Sequence, residues 1–188
     1  MSRPSAEPIR KAALINAAIM EIGRMGTLDV TVAQIARAAG MSPALAHHYF
    51  GSKDQMFLAA MRHILTVYGQ SVRAGLPGTG PQGRLDAIVS ASFAPQNFRR
   101  EIVSAWLNFY ALAQINQQAA RLLRVYHRRL HSNLVVALRG LTARPDAVAH
   151  SLGALIDGVY LREVMRPGPT DAARAIGTVN NYLDEVLS

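Results

Sequence analysis

Apolar residues recur every three to four positions along most of the chain, which is the spacing of one face of an α-helix. The first predicted helix runs from Arg10 to Met25, and its apolar face consists of Ile15, Ala18, Ile19 and Ile22. Further helices are predicted at 31–39, 43–49, 53–74, 84–93, 95–113, 117–139, 145–166 and 170–187, with a linker rich in glycine and proline at 75–83. We find no convincing strand pattern or internal repeat, so the sequence predicts an all-α fold.

The segment from Thr31 to Lys53, TVAQIARAAGMSPALAHHYFGSK, predicts two short helices joined by a tight turn. Gly40 is a typical helix stop, because glycine adopts positive φ without strain. Ser42 is a typical N-cap, and Pro43 suits the first position of the helix that follows. This pattern is typical of a helix-turn-helix, which places its second helix in a DNA major groove. A helical hairpin inside an all-α enzyme or binding module is the alternative.

The residues around this motif resemble a known family. An N-terminal helix, the helix-turn-helix and then HYFGSKDQMF are similar to the TetR family of one-component regulators over about the first third of the chain. PIRKAALINAA, MRHIL, AWLNFYA and LIDGVYLR extend the resemblance to the choline-responsive repressors within that family. The resemblance implies a homodimer with an N-terminal DNA-binding domain at 1–52 and a C-terminal effector-binding and dimerisation domain at 53–188. The helix at about 53–74 would connect the two domains.

Binding to an operator in double-stranded DNA would combine phosphate contacts, which fix position, with base contacts, which read sequence. Phosphate contacts are expected from two N-caps and from two side chains near the next helix: Thr31, Ser42, Tyr49 and Lys53. Base contacts are expected at the start of the second helix: Pro43, Ala44 and His47. Because that helix has no Arg, Asn or Gln, thymine methyl groups and DNA shape are expected to carry much of the specificity. Arg3 and Arg10 form either an arm to the DNA or a solvated terminus.

A candidate effector site lies in the second half of the chain. Aromatic residues make up only 6% of the sequence, yet Trp106, Phe109, Tyr110 and Tyr126 lie close together. Asp157 and Tyr160 are three residues apart, so they share one helix face. Aromatic rings around one acid suit a quaternary ammonium such as choline, because each ring contributes about 0.5–2 kcal/mol of cation–π attraction. The alternatives are ordinary core rings, with Asp157 paired to Arg162 or another arginine, and an apolar or anionic effector.

Other patterns are weaker. His127 and His131 are four residues apart and could share a metal, but no acid lies close to them in sequence. No phosphate loop, nucleophile motif or catalytic pair of carboxylates is present, so the sequence indicates neither an enzyme nor a cofactor or metal. Small residues in the last two predicted helices would allow close packing, either in a dimer or in the core of one subunit: Gly153, Ala154, Gly158, Ala172, Ala175 and Ile176.

Composition adds looser bounds. The chain has 188 residues, half of them apolar, with no cysteine and a net charge of +8, which favours polyanionic partners. The charge is not confined to the predicted DNA-binding part. No apolar run approaches the roughly 20 residues that span a bilayer, and no signal-peptide pattern opens the chain. We therefore expect a cytoplasmic protein that does not associate with membranes.

Overall fold

The structure, a computed structural model, describes residues 6–188. In this range the chain forms nine α-helices: α1 (Ala6–Met25), α2 (Val32–Ala38), α3 (Pro43–Phe50), α4 (Lys53–Ala74), α5 (Pro81–Ser92), α6 (Arg100–Ile115), α7 (Gln117–Leu138), α8 (Pro145–Met165) and α9 (Ala172–Leu187). One isolated bridge joins Arg139 and Thr142, and the described residues contain no strand. The predicted all-α fold is confirmed. No helix between residues 6 and 188 has the length and apolar character needed to cross a bilayer.

Helices α1 to α3 form the part that we call the head. Helices α2 and α3 are capped by the residues that the sequence indicated. Gly40 has a φ of +67° and closes α2. The Thr31 side chain accepts a hydrogen bond from the Gln34 backbone N–H, and the Gln34 side chain accepts one from the Thr31 N–H, which completes a capping box. Ser42 caps α3 by accepting from the Leu45 N–H at 3.2 Å. These caps fix the angle at which α3 leaves the turn.

The core of the head continues into the rest of the protein. Ala36 and Ala46 are fully buried, and their small size lets α2 and α3 approach closely. The same cluster of apolar side chains includes residues of α4, α6 and α7, among them Phe57, Phe109 and Ala119. A Cβ on Gly23 would lie 2.1 Å from the carbonyl oxygen of Glu101, so α1 and α6 meet backbone to backbone. The head is therefore packed directly on α6 as well as joined covalently to α4.

Helices α5 to α9, which we call the body, enclose a second apolar cluster together with the C-terminal part of α4. Buried members of this cluster on α5, α7, α8 and α9 include Leu85, Leu134, Leu138, Leu152, Ile156 and Val179. The predicted boundary between residues 52 and 53 lies at the turn between α3 and α4. Since the core of the head extends beyond this turn, that boundary stays a prediction.

Three predicted helix starts were wrong. Helix α1 begins at Ala6 rather than Arg10. Helix α5 begins at Pro81 rather than Arg84, and α6 begins at Arg100 rather than Pro95. Residues 93–99 are held as an irregular segment by a short-range hydrogen bond from Asn97 and by one from Tyr160, which is 63 residues away in sequence. The buried Asn97 side chain donates to the Ala91 carbonyl at 2.8 Å, and the Tyr160 hydroxyl lies 2.9 Å from the Asn97 carbonyl. Local sequence patterns do not reveal such partners.

Candidate DNA-binding surface and effector cavity

The head presents the start of α3 to solvent. The residues expected to read bases are all exposed there: Pro43, Ala44 and His47. Thr31 and Ser42, which cap α2 and α3, are exposed as well. Because Ala46 points into the core, the opposite side of this short helix is free to face DNA. Two helix N-termini and the residues predicted to read bases are therefore all exposed on the head.

The other predicted DNA contacts flank this surface. Tyr49 is half-buried, and the Lys11 ammonium lies 5.5 Å from the centre of its ring. Lys53 is half-buried at the start of α4, with its ammonium 5.3 Å from the centre of the Phe57 ring. Arg10 is exposed on α1, whereas Arg3 lies outside the described residues. Aromatic contacts thus hold two lysines beside the helix-turn-helix.

A cavity lies in the body beside α4. It contains about 400 Å³ of space unoccupied by protein atoms, part of it open to solvent. Its lining comes from α4, the end of α5 and the segment after it, α6, α7 and α8: Ile64, Leu65, Tyr68, Ser92, Asn97, Ile102, Trp106, Tyr126, Asp157 and Tyr160. Residues that are distant in sequence are therefore brought around one small space.

Four of the six predicted effector residues line this cavity: Trp106, Tyr126, Asp157 and Tyr160. Phe109 is fully buried in the cluster that continues from the head, and it does not line the cavity. Tyr110 stands just outside, with its ring centre 5.6 Å from that of Trp106 and its hydroxyl 3.4 Å from His127 Nε2. The predicted residues thus divide into a cavity wall, a core residue and an outer neighbour.

The aromatic rings of the wall support one another. The rings of Trp106 and Tyr126 meet edge to face with centres 5.1 Å apart, and those of Tyr68 and Tyr126 do so at 5.9 Å. The Tyr160 ring packs on Phe98 at 5.2 Å. Such pairs favour defined ring orientations, so the rings hold one another in place.

The Tyr160 hydroxyl is engaged within the protein. It lies 2.6 Å from the carbonyl oxygen of Ser92 and 2.9 Å from that of Asn97, and its single proton is shared between these two acceptors. The hydroxyl therefore joins α8 to both ends of the irregular segment at 93–99. Tyr160 consequently offers a ligand its ring rather than its hydroxyl.

Asp157 dominates the charge of the cavity. Burial is the main cause that raises the pKa of Tyr126, and the nearby charge of Asp157 adds to the rise. The same two causes, in the same order, raise the pKa of Tyr110. Both phenols therefore stay neutral at physiological pH. The lining residues named above include no Lys, Arg or His, so the site is negative and aromatic.

Asp157 does not pair with Arg162, which was one alternative from the sequence. Its Oδ2 lies 3.4 Å from Nε2 of His127, and His131 Nε2 lies 3.4 Å from an Asp146 carboxyl oxygen. The two histidines therefore have separate acidic partners. No metal-binding group of three or more His, Asp or Glu side chains occurs in the part of the chain that the structure describes.

Sequence reasoning missed Tyr68 as a cavity residue. Tyr68 follows Ile64 by one helical turn on α4, and both side chains line the cavity. The signal in the sequence was its spacing, because Tyr68 is an aromatic residue four positions after an apolar one in the connecting helix. The omission matters, because Tyr68 brings α4 itself into the cavity wall.

Two helices link the cavity to the head. Helix α4 contributes Ile64, Leu65 and Tyr68 to the wall, and it begins beside the helix-turn-helix. Helix α6 contributes Ile102 and Trp106, and its first turn touches α1 at Gly23. A ligand in the cavity would therefore contact both elements that carry the head.

A helix-turn-helix head joined by one long helix to a helical body with an internal cavity defines the class of one-component transcriptional regulators. Residues 14–60 match the family described as bacterial regulatory proteins of the tetR family, and residues 81–188 match the BetI-type transcriptional repressor C-terminal domain. The chain belongs to the TetR family, with a C-terminal domain of the BetI type. It is a ligand-responsive DNA-binding regulator and not an enzyme. Regulators of this family bind DNA operators and small-molecule effectors and act as dimers.

Two relatives illustrate the similarity. The HTH-type transcriptional regulator BetI of Brucella anthropi is 50% identical over 186 residues, which cover 97% of this chain and 96% of that protein. BetI of Rhizobium meliloti is 42% identical over 190 residues, which cover 100% and 94%.

Solved structures share the fold at lower sequence identity. A TetR transcription regulator from Haloarcula marismortui superimposes with a TM-score of 0.83 at 22% identity, over 96% of this chain and 100% of that one. A transcriptional regulator from Saccharomonospora viridis, crystallised in complex with choline, gives 0.81 at 21%, over 94% and 96%.

Proposed function

We propose that this protein is a repressor that binds a quaternary ammonium compound, choline in the first instance, and then releases its operator. The observation that carries the proposal is the cavity lined by four aromatic residues, Trp106, Tyr126, Tyr68 and Tyr160, and by the single carboxylate of Asp157. The BetI relatives and the choline complex of a regulator with the same fold support this choice of ligand class.

Two attractions would hold a quaternary ammonium in the cavity. Each aromatic ring stabilises a nearby cation by about 0.5–2 kcal/mol, and several rings together compensate for the loss of water around a weakly hydrated ammonium. Asp157 adds a charge whose effect is strengthened by partial burial. An anionic effector would meet the same carboxylate and be repelled, so the cavity disfavours the anionic alternative. An apolar effector remains the competing candidate, since Ile64, Leu65 and Ile102 also line the wall.

The DNA-binding site of this proposal is the exposed part of the head. Thr31, Ser42, Tyr49 and Lys53 would hold phosphates, while the bases would be read by Pro43, Ala44 and His47. Arg10 would reach the backbone from α1. The exposure of both capped helix N-termini supports this assignment. We place the DNA-binding domain at 1–52 and the protein in the cytoplasm, where bacterial operators are found.

The dimer interface of this proposal is the outer face of α8 and α9. Ala154, Leu161 and Met165 are exposed on α8, and a Cβ on Gly158 would meet nothing within 4 Å in its own subunit. Their spacing of four, three and four residues makes one continuous apolar stripe. A second copy packed on this stripe would remove it from water and place two heads side by side.

Coupling would then pass through α4 and α6. A ligand that favours one position of Tyr68 and Trp106 favours one position of these two helices, and each helix touches the head. The distance between the two recognition helices in the dimer would change, and with it their fit to successive major grooves.

Calorimetry tests the ligand class directly. Choline is compared with its neutral isostere, in which a carbon atom replaces the ammonium nitrogen, because the two have nearly the same shape. We expect choline to bind several-fold to tens of times more tightly, as cation–π attraction requires. Equal affinities, or tighter binding of the neutral compound, would contradict a cation site and favour an apolar effector.

A further inference from the structure

Asp157 lies in a wall shared by two spaces. On its inner side is the effector cavity, and on its outer side is a groove between α7 and α8. In the single subunit the groove is open to solvent, and Ala154 of the proposed dimer stripe is among its lining residues. The lining also includes three histidines: His127, His131 and His150. The side chain of Asp157 is 28% exposed. The carboxylate can therefore respond to a charge on either side.

His127 is the groove residue in contact with this carboxylate. Its Nε2 lies 3.4 Å from Oδ2 of Asp157 and 3.4 Å from the hydroxyl of Tyr110. The side chain of His127 is 44% exposed, so protons from solvent can reach the ring. Imidazole is the side chain whose charge changes between about pH 5 and 8.

Other charged and titratable groups lie around His127 on α6, α7 and α8. Helix α6 brings Tyr110, whose raised pKa keeps it neutral, and α8 brings Asp157 and, along the groove, His150. On α7 itself, the neutral phenol ring of Tyr126 lies with its centre 5.3 Å from that of His127. Arg128 and His131 of α7 line the same groove, and His131 is matched by Asp146 at 3.4 Å. Asp157 is thus the acid that faces His127, while Asp146 faces His131.

We infer that His127 sets the charge of the effector site, so that a proton on its ring competes with a cationic effector for Asp157. This inference rests on the proposed function. With a neutral ring the cavity carries the full negative charge of Asp157. With a protonated ring the pair carries no net charge, and the imidazolium also repels a cation on the other side of the carboxylate.

The direction of the effect follows from this arrangement. Affinity for a quaternary ammonium is high when the ring is neutral, and it falls as the pH decreases and the ring takes up a proton. By linkage, effector binding at a pH where the ring is partly protonated must release, on average, a fraction of a proton per site. A neutral ligand of the same shape lacks this competition, so its affinity should change much less with pH. Acidic conditions would therefore keep the regulator insensitive to its effector.

Calorimetry of choline binding at pH 5.5, 7.0 and 8.5 tests the inference, because the charge of choline is constant over this range. Three proteins are compared: the unmodified chain, His127→Gln and the control His131→Gln. The control removes the neighbouring histidine, whose Nε2 lies at the same distance from a different acid, Asp146. For the unmodified chain and for His131→Gln we expect binding about five- to tenfold weaker at pH 5.5 than at pH 8.5, the size of one screened charge near the ligand. For His127→Gln we expect an affinity that stays within about twofold across the range.

The outcomes separate this inference from the proposed function. A merely structural role of His127 would change affinity equally at every pH, and that result would overturn the inference. Equal pH dependence in the unmodified chain and in His127→Gln would overturn it as well, while leaving the choline site intact. No binding of choline to any of the three proteins at any pH would contradict both the proposed function and the inference.

Discussion

At the effector cavity, the ring of Trp106 and the carboxylate of Asp157 contribute to binding in different ways. Trp106 is 5% exposed and belongs to the core, so its removal would also reduce stability. Asp157 is partly exposed and forms its contact at the edge of the site. Substitution of Asp157 therefore separates ligand binding from folding more cleanly than substitution of the tryptophan.

The change Asp157→Asn should weaken choline binding by about 1–2 kcal/mol, because it removes the charge and keeps the shape. The affinity of the ligand-free protein for operator DNA should be unchanged. Calorimetry and DNA anisotropy measure the two quantities. Asp146→Asn is the control, since Asp146 pairs with His131 outside the cavity. Equal choline affinity in both variants and the unmodified chain would remove Asp157 from the site.

Lys53 is the single residue that tests the proposed DNA surface. Lys53→Ala should weaken binding to operator and unrelated DNA alike and reduce the slope of log affinity against log salt by about one, because one phosphate contact is lost. Arg84→Ala removes an equal charge from α5 in the body and should leave both quantities unchanged. An unchanged salt slope for Lys53→Ala would show that its ammonium does not contact phosphate.

The candidate cavity residues show what the sequence could predict and what it could not. Helical spacing placed Asp157 and Tyr160 on one face of one helix, and both line the cavity. The rotation of α4 relative to α8 depends on packing between distant helices, so Tyr68 was missed. Spacing also could not separate Trp106 from Phe109, whose side chain lies in the core.

At the level of elements, helices with strong local caps were predicted most accurately. Helix α4 was predicted with the bounds that the structure shows, because Ser52 caps its start and a glycine follows its end. The start of α6 was wrong, because Pro95 is a local helix signal and the hydrogen bonds from Tyr160 to the Ser92 and Asn97 carbonyls are not local. Long-range polar contacts therefore limit a prediction made from sequence alone.

A buried charge joins the end of α8 to the start of α9. Glu163 is 4% exposed, its carboxylate lies 2.8 Å from the Arg174 guanidinium, and it accepts a hydrogen bond from the Asp171 N–H. The hydrogen bond from Arg174 is the main cause that lowers the pKa of Glu163 below 4.5. A group with a lowered pKa stabilises the fold above its unfolded value, and this contribution is lost as the pH falls through the lowered value.

Glu163→Gln should therefore reduce the free energy of unfolding by about 1–3 kcal/mol at pH 7, because a buried charge-assisted pair is lost. The difference from the unmodified chain should persist down to about pH 5 and shrink below about pH 4. Urea unfolding at several pH values measures it. Glu185→Gln, at an exposed position of α9, serves as the control and should change stability by less than about 0.5 kcal/mol. A Glu163→Gln effect independent of pH would contradict the ion-pair explanation.

For the whole molecule, the apolar stripe on α8 is the proposed dimer interface. Gly158→Arg places a long cation on this stripe at a position with open space in its own subunit, so the subunit should fold while the dimer is lost. Sedimentation should show a monomer, with operator affinity reduced because two heads no longer bind together. Ser90→Arg, at an exposed position of α5, is the matched control and should remain dimeric. A dimeric Gly158→Arg variant would move the interface elsewhere.

Across the whole molecule, two helices connect the cavity to the head. Tyr68 on α4 and Trp106 on α6 both line the cavity, and the two helices reach the head by different routes, one covalent and one through the contact at Gly23. An effector can shift the DNA-binding equilibrium only by the difference in its affinity for the two states. The cavity therefore has to bind choline less tightly when the dimer is on DNA.

The most direct test measures operator affinity by fluorescence anisotropy, with and without choline at a concentration that calorimetry shows to be saturating. The operator duplex is one that the protein selects from a random pool. We expect choline to weaken DNA binding by about 10- to 100-fold, the usual size of coupling between two sites, and the neutral isostere at the same concentration to have little effect. Unchanged operator affinity at saturating choline would contradict the central claim that a cation in this cavity releases the DNA.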